Sequence, residues 1–367
     1  MASVELKNVW KIYGGTVEAV RDASWHCDDH EFFSILGPSG CGKSSTLRMV
    51  AGLEEITRGE ILFDEKPVNK LPPRERNVAM VFESWALYPN LSVYENIAFP
   101  LRIRNLPSAE IDRKVREAAR FLNLEPILQS GVRRLSGGEM QRVSIGRAIV
   151  REPAVLIMDE PISHLDAGLR ARMRDELKTQ VSKLGVTTLY ITHDQVESMA
   201  MADRIAIMNL GEIQQVGTPL EIYYNPRNQF VGSFIGEPPM NFISCEVRHE
   251  NGNFRLQSPS FDFILDEECR CKFLSYQGTS SLNLGVRPED VHLSFIPTPG
   301  SFEAVVDFVE PQGDRTIISI KLRTGEIFLA QTMENLRPGV GSNIQVAFDQ
   351  RHMHFFIPDT GLNMLYG

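Results

Sequence analysis

Three short runs of apolar and β-branched residues stand out in the first part of the chain: Phe32–Leu36, Ala154–Met158 and Thr187–Thr192. Continuous runs of this length predict strands buried on both faces, as in a parallel sheet. Each ends in polar residues, and ligands of open α/β sheets collect at such strand ends. Up to about Ile235, β-rich runs alternate with helical patterns, so an α/β domain with a largely parallel sheet is expected. Between about Leu91 and Leu128 the pattern turns helical. Ser92 and Glu95 have the spacing of a capping box, and Ile111, Val115, Ala118, Ala119 and Leu122 fall on one helix face. This predicts an inserted helical subdomain over about 91–150. Beyond Gly236-Glu237-Pro238-Pro239, the runs Ser301–Val309, Thr316–Leu322 and Asn343–Phe348 are separated by Gly, Pro, Asn and Asp, the signature of an all-β barrel or sandwich. The expected domains are 1–235 and 236–367.

Length agrees, since 367 residues exceed what one hydrophobic core usually organises. A formal net charge of -9 disfavours a general nucleic-acid partner, which would need a basic face for phosphates. No apolar run approaches the roughly 18–20 residues that span a bilayer, and Glu5 and Lys7 stand where a signal peptide would be apolar. A cytoplasmic location is therefore expected. The five cysteines, Cys27, Cys41, Cys245, Cys269 and Cys271, lack zinc-site spacing and read as reduced thiols.

The segment Gly37-Pro38-Ser39-Gly40-Cys41-Gly42-Lys43-Ser44 fits the phosphate-binding pattern G-x-x-x-x-G-K-[ST] between a strand and a helical stretch starting at Ser45. Its glycines let backbone N–H groups close on phosphates, Lys43 reaches the β- and γ-phosphates, and Ser44 offers a hydroxyl to magnesium. The strand ending at Met158 delivers Asp159 and Glu160 to one edge. Adjacent residues point oppositely, so two roles follow: Asp159 to hold magnesium, Glu160 to polarise the water that attacks the γ-phosphate. His193 ends the strand Thr187–Thr192, beside them in a parallel sheet, where it suits γ-phosphate sensing or water positioning. Leu135-Ser136-Gly137-Gly138-Glu139-Met140-Gln141-Arg142 repeats the glycine-rich, helix-opening design. One chain does not need two such sites for one γ-phosphate, so Ser136, Gly137 and Gly138 are expected to serve ATP bound to another subunit.

Taken together, the phosphate loop, the Leu-Ser-Gly-Gly segment, Asp159-Glu160, the Ser163-His164-Leu165-Asp166 loop and His193 resemble the ATP-binding cassette family, in the family's order over the first 235 residues. The resemblance implies an α/β P-loop NTPase with ATP and Mg²⁺ as cofactors, Tyr13 stacking on adenine, and Asp166 near the nucleotide. Leu87-Tyr88-Pro89, Val93-Tyr94-Glu95-Asn96-Ile97 and Gly285-Val286-Arg287-Pro288-Glu289-Asp290 are similar to the sugar-importer branch, the maltose and glycerol-phosphate type. That implies a C-terminal OB-type (TOBE) barrel and a peripheral ATPase on the cytoplasmic face of the cell membrane. It also implies transmembrane permease subunits, a second cassette subunit and, indirectly, a solute-binding protein. The cargo implied is a sugar, polyol or glycerol phosphate.

Three positions depart from the family's usual residues: Glu83 and Met140 replace glutamine, and His164 replaces asparagine. Met140 suits packing on its helix. Glu83 matters more, because an ionised carboxylate only accepts hydrogen bonds and adds negative charge where Ser44, Glu83 and Asp159 are expected to face magnesium. A second cassette of different sequence, heterodimer over homodimer, would tolerate one retuned site. Two other readings compete. A cytosolic cassette acting on DNA or ribosomes usually carries coiled-coil insertions or two cassettes per chain, which this sequence lacks. A regulatory cassette with impaired turnover sits poorly with the retention of Lys43, Asp159, Glu160 and His193.

Overall fold

A computed structural model describes residues 1–250, 252–274, 276, 278–333 and 336–366. The chain forms two compact units, Met1–Pro219 and Leu220–Gly367, so segment 220–235, which the sequence pattern groups with the first domain, belongs to the second unit.

In the first unit, β1 (Val4–Tyr13) and β2 (Val17–Cys27) pair antiparallel. They are followed by β3 (Phe32–Leu36) and α1 (Lys43–Ala51). Then β4 (Arg58–Phe63) and β5 (Lys66–Pro67) complete a four-stranded antiparallel sheet ordered β2-β1-β4-β5. This sheet is absent from the sequence expectation, because register shifts between Leu6 and Val9 and between Val9 and Lys11 break the alternation that would reveal β1. Next come β6 (Val78–Val81), α2 (Val93–Ile103), α3 (Ser108–Phe121) and α4 (Gly137–Ile149). The remainder is β7 (Val155–Asp159), α5 (Ala167–Leu184), β8 (Thr187–Thr192), α6 (Gln195–Met201), β9 (Arg204–Asn209) and β10 (Glu212–Gly217).

The main sheet runs β10-β9-β3-β8-β7-β6. It is parallel from β9 to β6, with β10 as an antiparallel edge. Every residue of β3 and β8 is buried, which is why these strands read as unbroken runs rather than alternating ones. Phe33, Ile35, Ile157, Leu189 and Ile191 share a core with Val4, Leu6 and Trp25 of the antiparallel sheet and with Leu47, Met49 and Val50 of α1. Parallel pairing sets Leu36 opposite Thr192 and Asp159 opposite Ile191. The carboxyl ends of β3, β7 and β8 therefore open on the same edge.

The helices carry their expected marks. Ser92 and Glu95 form the capping box of α2, and α3 buries Ile111, Val115, Ala118 and Ala119. The buried Arg76 donates from Nη1 to Met49 O (2.7 Å) and Val50 O (2.9 Å), placing a cation on carbonyls of the last turn of α1.

The second unit opens with two short helices, α7 (Pro219–Tyr224) and α8 (Gln229–Phe234). Then β11 (Asn241–Glu250), β12 (Asn253–Gln257), β13 (Asp262–Ile264), α9 (Glu267–Cys271) and β14 (Ser281–Val286) follow. The chain continues through β15 (Val291–Ser294), β16 (Phe302–Pro311), β17 (Thr316–Lys321), β18 (Ile327–Thr332), β19 (Asn343–Phe348) and β20 (His354–Phe356). Two antiparallel sheets result, β13-β12-β11-β14-β20 and β15-β19-β16-β17-β18, and both feed one core that includes Leu256, Leu284, Val306, Ile318, Phe328 and Val346. This agrees with the expected OB-type unit.

Arg287 explains why the second unit starts at Leu220. It is 1% exposed, donates to Ile235 O (2.7 Å) and Tyr223 O (3.1 Å), and lies 3.6 Å from the centroid of the Tyr223 ring. A buried guanidinium is tolerable when its donors meet carbonyls and an aromatic face. Tyr223 in turn donates to Glu289, and His352 Nδ1 lies 2.8 Å from Asp290 Oδ1. The Gly285–Asp290 segment thus acts as a clamp on α7 and α8. The five cysteines are free thiols, and burial pushes Cys269 up to about 12.

A candidate nucleotide site at the strand ends

The loop after β3 is shaped by glycines at positions where a side chain has no room or no allowed conformation. A Cβ on Gly37 would lie 2.1 Å from Met208 O, and Gly42 has φ 109 with Ala19 O only 2.3 Å from where its Cβ would be. Lys43, 5% exposed, donates from Nζ to Gly37 O (2.8 Å) and Pro38 O (2.9 Å), so its ammonium lies along the loop it belongs to. Cys41 is buried, its thiol raised by that burial. Pro38 is half-buried, whereas Ser39, Gly40 and Ser44 are exposed. Ser45 Oγ lies 3.2 Å from the Tyr13 hydroxyl, which also donates to Glu54. Lys11 Nζ is 4.7 Å from the centroid of the Tyr13 ring. Tyr13 therefore stands beside the helix that the loop opens.

At the ends of β7 and β8 the structure brings the next candidates together. His193 Nδ1 lies 3.0 Å from Glu160 Oε2. Glu160 has φ 46, a left-handed conformation that costs a non-glycine residue about 1–3 kcal/mol. It is held there by its N–H to Ile191 O (3.0 Å) and by Ser163 Oγ donating to its carbonyl (2.9 Å). Asp159 sits higher than an ordinary carboxyl, first because it is buried and then because Glu160 and, more weakly, Glu83 repel its charge; Arg48 and Lys43 oppose the rise. Asp159 alone carries the repulsion of two neighbouring carboxylates at the end of β7, a charge that a divalent cation beside it would offset.

The loop after β6 and the segment before α4 complete the surroundings. Trp85 O accepts from Ser144 Oγ (3.0 Å) and Arg147 Nη2 (2.8 Å), and Tyr88 N donates to the buried Asn96 (2.8 Å). His164 Nε2 lies 3.5 Å from Glu83 Oε1. A Cβ on Gly137 would meet Leu165 at 2.8 Å and Trp85 at 3.8 Å, so Gly137 marks where the three loops converge. Ser136 caps α4 in a box with Glu139, its hydroxyl donating to Glu139 Oε2 (2.7 Å). That role is legible as S-x-x-E, as at Ser92, but the sequence reading assigns the segment to an anion alone. Gly138 is buried within α4's first turn. Asp166 caps α5 by accepting from Leu169 N (2.9 Å).

Comparison with known proteins decides the family. The defining pattern of the ABC transporter family matches residues 20–163, and that of the TOBE domain matches 284–356. The trehalose/maltose import ATP-binding protein of Thermococcus litoralis is 47% identical over 377 residues, covering 98% of this chain and 99% of its own. The chain belongs to the ABC transporter family. It is an ATP-binding, ATP-hydrolysing cassette with a TOBE domain. The sn-glycerol-3-phosphate import ATP-binding protein of Cupriavidus necator and the oligosaccharides import ATP-binding protein of Bacillus subtilis are each 42% identical, over 98% of this chain and 99% of their own. Among solved ABC structures, cbiO1 from Clostridium perfringens, part of the ABC transporter complex cbiONQ, aligns with TM-score 0.56 and 27% identity over 60% of this chain and 89% of its own. A cassette dimer bound to ADP and phosphate aligns with TM-score 0.52 and 29% identity, over 59% of this chain and 98% of its own. As an ABC cassette, the chain acts at a membrane transporter, and no helix among the described residues is long and apolar enough to cross a membrane itself.

Proposed function

We propose that this cassette drives import of a sugar, polyol or glycerol phosphate by closing on ATP against a second cassette. The observation that carries the reading is the Glu160–His193 pair at the edge where the phosphate loop, β7 and β8 end together. Glu160 is placed to take the proton of the attacking water, and His193 holds its carboxylate and faces the γ-phosphate. Lys43 leaves the Gly37 and Pro38 carbonyls for the β- and γ-phosphates, exchanging neutral acceptors for charged ones. Ser44, Asp159 and Glu83 would hold Mg²⁺, whose positive charge would offset that of the phosphates. Tyr13 offers a ring to adenine, and Asp166 lies at the facing loop. Ser136, Gly137 and Gly138 reach the nucleotide of the other cassette.

The relatives' import names support the cargo class, and the dimer among the structural neighbours supports the paired arrangement. Phe82 and Tyr88, about two-fifths exposed on the loop after β6, suit contact with permease helices at the inner face of the membrane, with the solute-binding protein engaged only through the permease. A second cassette of different sequence is favoured over two copies of this chain, because it leaves the charge of Glu83 in only one of the two sites. The native mass of the assembled transporter distinguishes the two compositions. Lys43→Ala is expected to abolish ATP binding and solute uptake by the assembled transporter. Retained uptake would refute the assignment.

A further inference from the structure

Glu83 and His164 follow different strands, β6 and β7, and nothing in their separation along the chain suggests that they meet. Yet His164 Nε2 lies 3.5 Å from Glu83 Oε1, with both side chains 53% exposed. The His164 ring also stands edge-on to Trp85, at 6.4 Å between centroids and 81° between planes. Trp85 is fixed through its carbonyl by Ser144 and Arg147 of α4. Glu83 is thus carried on a loop anchored to one helix, while the imidazole opposite it comes from the loop that starts at Glu160. The carboxylate also bears on Asp159, whose charge it disfavours.

A glutamate at this place creates a need that a neutral amide would not. Its carboxylate has no donor of its own, and its charge adds to those of Asp159 and Glu160. We propose that His164 is a positioning residue for Glu83: its Nε2, 3.5 Å from Oε1, is placed to turn an N–H toward the carboxylate and limit where it sits, so that the two residues work as one unit joining the loop after β6 to the loop after β7. A neutral tautomer protonated on Nε2 suffices, and no change of protonation is required. The inference rests on the ATPase reading above and adds to it a coupled pair.

The test is a double-mutant cycle in the assembled transporter, with kcat, KM for ATP and the Mg²⁺ concentration at half-maximal rate measured for each variant. His164→Phe keeps a ring against Trp85 but removes the donor, and His164→Gln keeps an N–H donor. With Glu83 present, His164→Phe is expected to lower kcat about threefold to tenfold and to shift the Mg²⁺ requirement, a size typical of contacting pairs. His164→Gln should recover most of that loss. Combined with Glu83→Gln, His164→Phe should cost much less than it does alone. Losses that simply multiply, or a glutamine variant no better than the phenylalanine one, would overturn the pairing. Glu160→Gln serves as the control: if it stops hydrolysis while the cycle multiplies, only the pairing fails; if it leaves turnover intact, the ATPase reading itself fails.

Discussion

Replacing Glu160 with glutamine separates chemistry from binding, and the structure says why. The main-chain bonds that hold this residue at φ 46, from its N–H to Ile191 O and from Ser163 to its carbonyl, do not involve the side chain. Glutamine has nearly the same volume and reaches the same 3.0 Å contact with His193, so the backbone and the imidazole stay in place. What is lost is the base. Positioned general bases contribute about 10²–10⁴-fold, or about 3–5 kcal/mol at 1.36 kcal/mol per tenfold. Binding should move the other way. Glu160 is the largest source of charge repulsion on Asp159, so its neutralisation lets Asp159 remain ionised to lower pH, ready for magnesium. The expected result is single-turnover hydrolysis slowed by at least about a hundredfold, with Mg·ATP affinity equal to or tighter than that of the parent. Equilibrium binding and quenched-flow hydrolysis on the same preparation check both halves. Hydrolysis within about tenfold of the parent would remove Glu160 from the role of base, and weaker Mg·ATP binding would refute the electrostatic argument for Asp159.

Two further outcomes follow from buried charge. Asp159 binds its proton more tightly in the folded chain than in the unfolded one, so stability falls as pH rises through its raised value. Asp159→Asn should therefore raise the unfolding temperature above the parent's at about pH 8 without nucleotide or magnesium, while abolishing Mg²⁺-dependent turnover; an unchanged or lower unfolding temperature would contradict this. Arg287→Met removes charged donors from the buried carbonyls of Tyr223 and Ile235 and should cost the second unit about 3–6 kcal/mol. Calorimetry should show an early transition for that unit with ATP binding retained, and a single unshifted transition would show that the clamp is dispensable.

The buried strands were legible because burial on both faces leaves no polar alternation: Phe32–Leu36 and Thr187–Thr192 coincide with the strands found. The capping box at Ser92 and the apolar face of α3 follow from helical spacing alone. The antiparallel sheet at the start of the chain was hidden by bulges in β1. The boundary at Pro219 was hidden for another reason: α7 and α8 look like a continuation of the α/β alternation, and only Arg287, far along the chain, shows which unit they serve. The meeting of Glu83 with His164 depends on the adjacency of β6 and β7, which sheet order supplies and sequence distance conceals.

The clamp at Arg287 also sets an order of events during synthesis. All strands of the main sheet have been made by Gly217, whereas α7 and α8 emerge next and must wait for Arg287 before their carbonyls at Tyr223 and Ile235 find its guanidinium. At roughly 5–20 residues per second, this leaves an interval of seconds in which a finished cassette trails an unfinished tail. The same arrangement governs inheritance. A recombination joining one cassette to another's C-terminal unit at Gly236 would separate α7 and α8 from the arginine that receives them, whereas a crossover at Pro219 carries the clamp across whole.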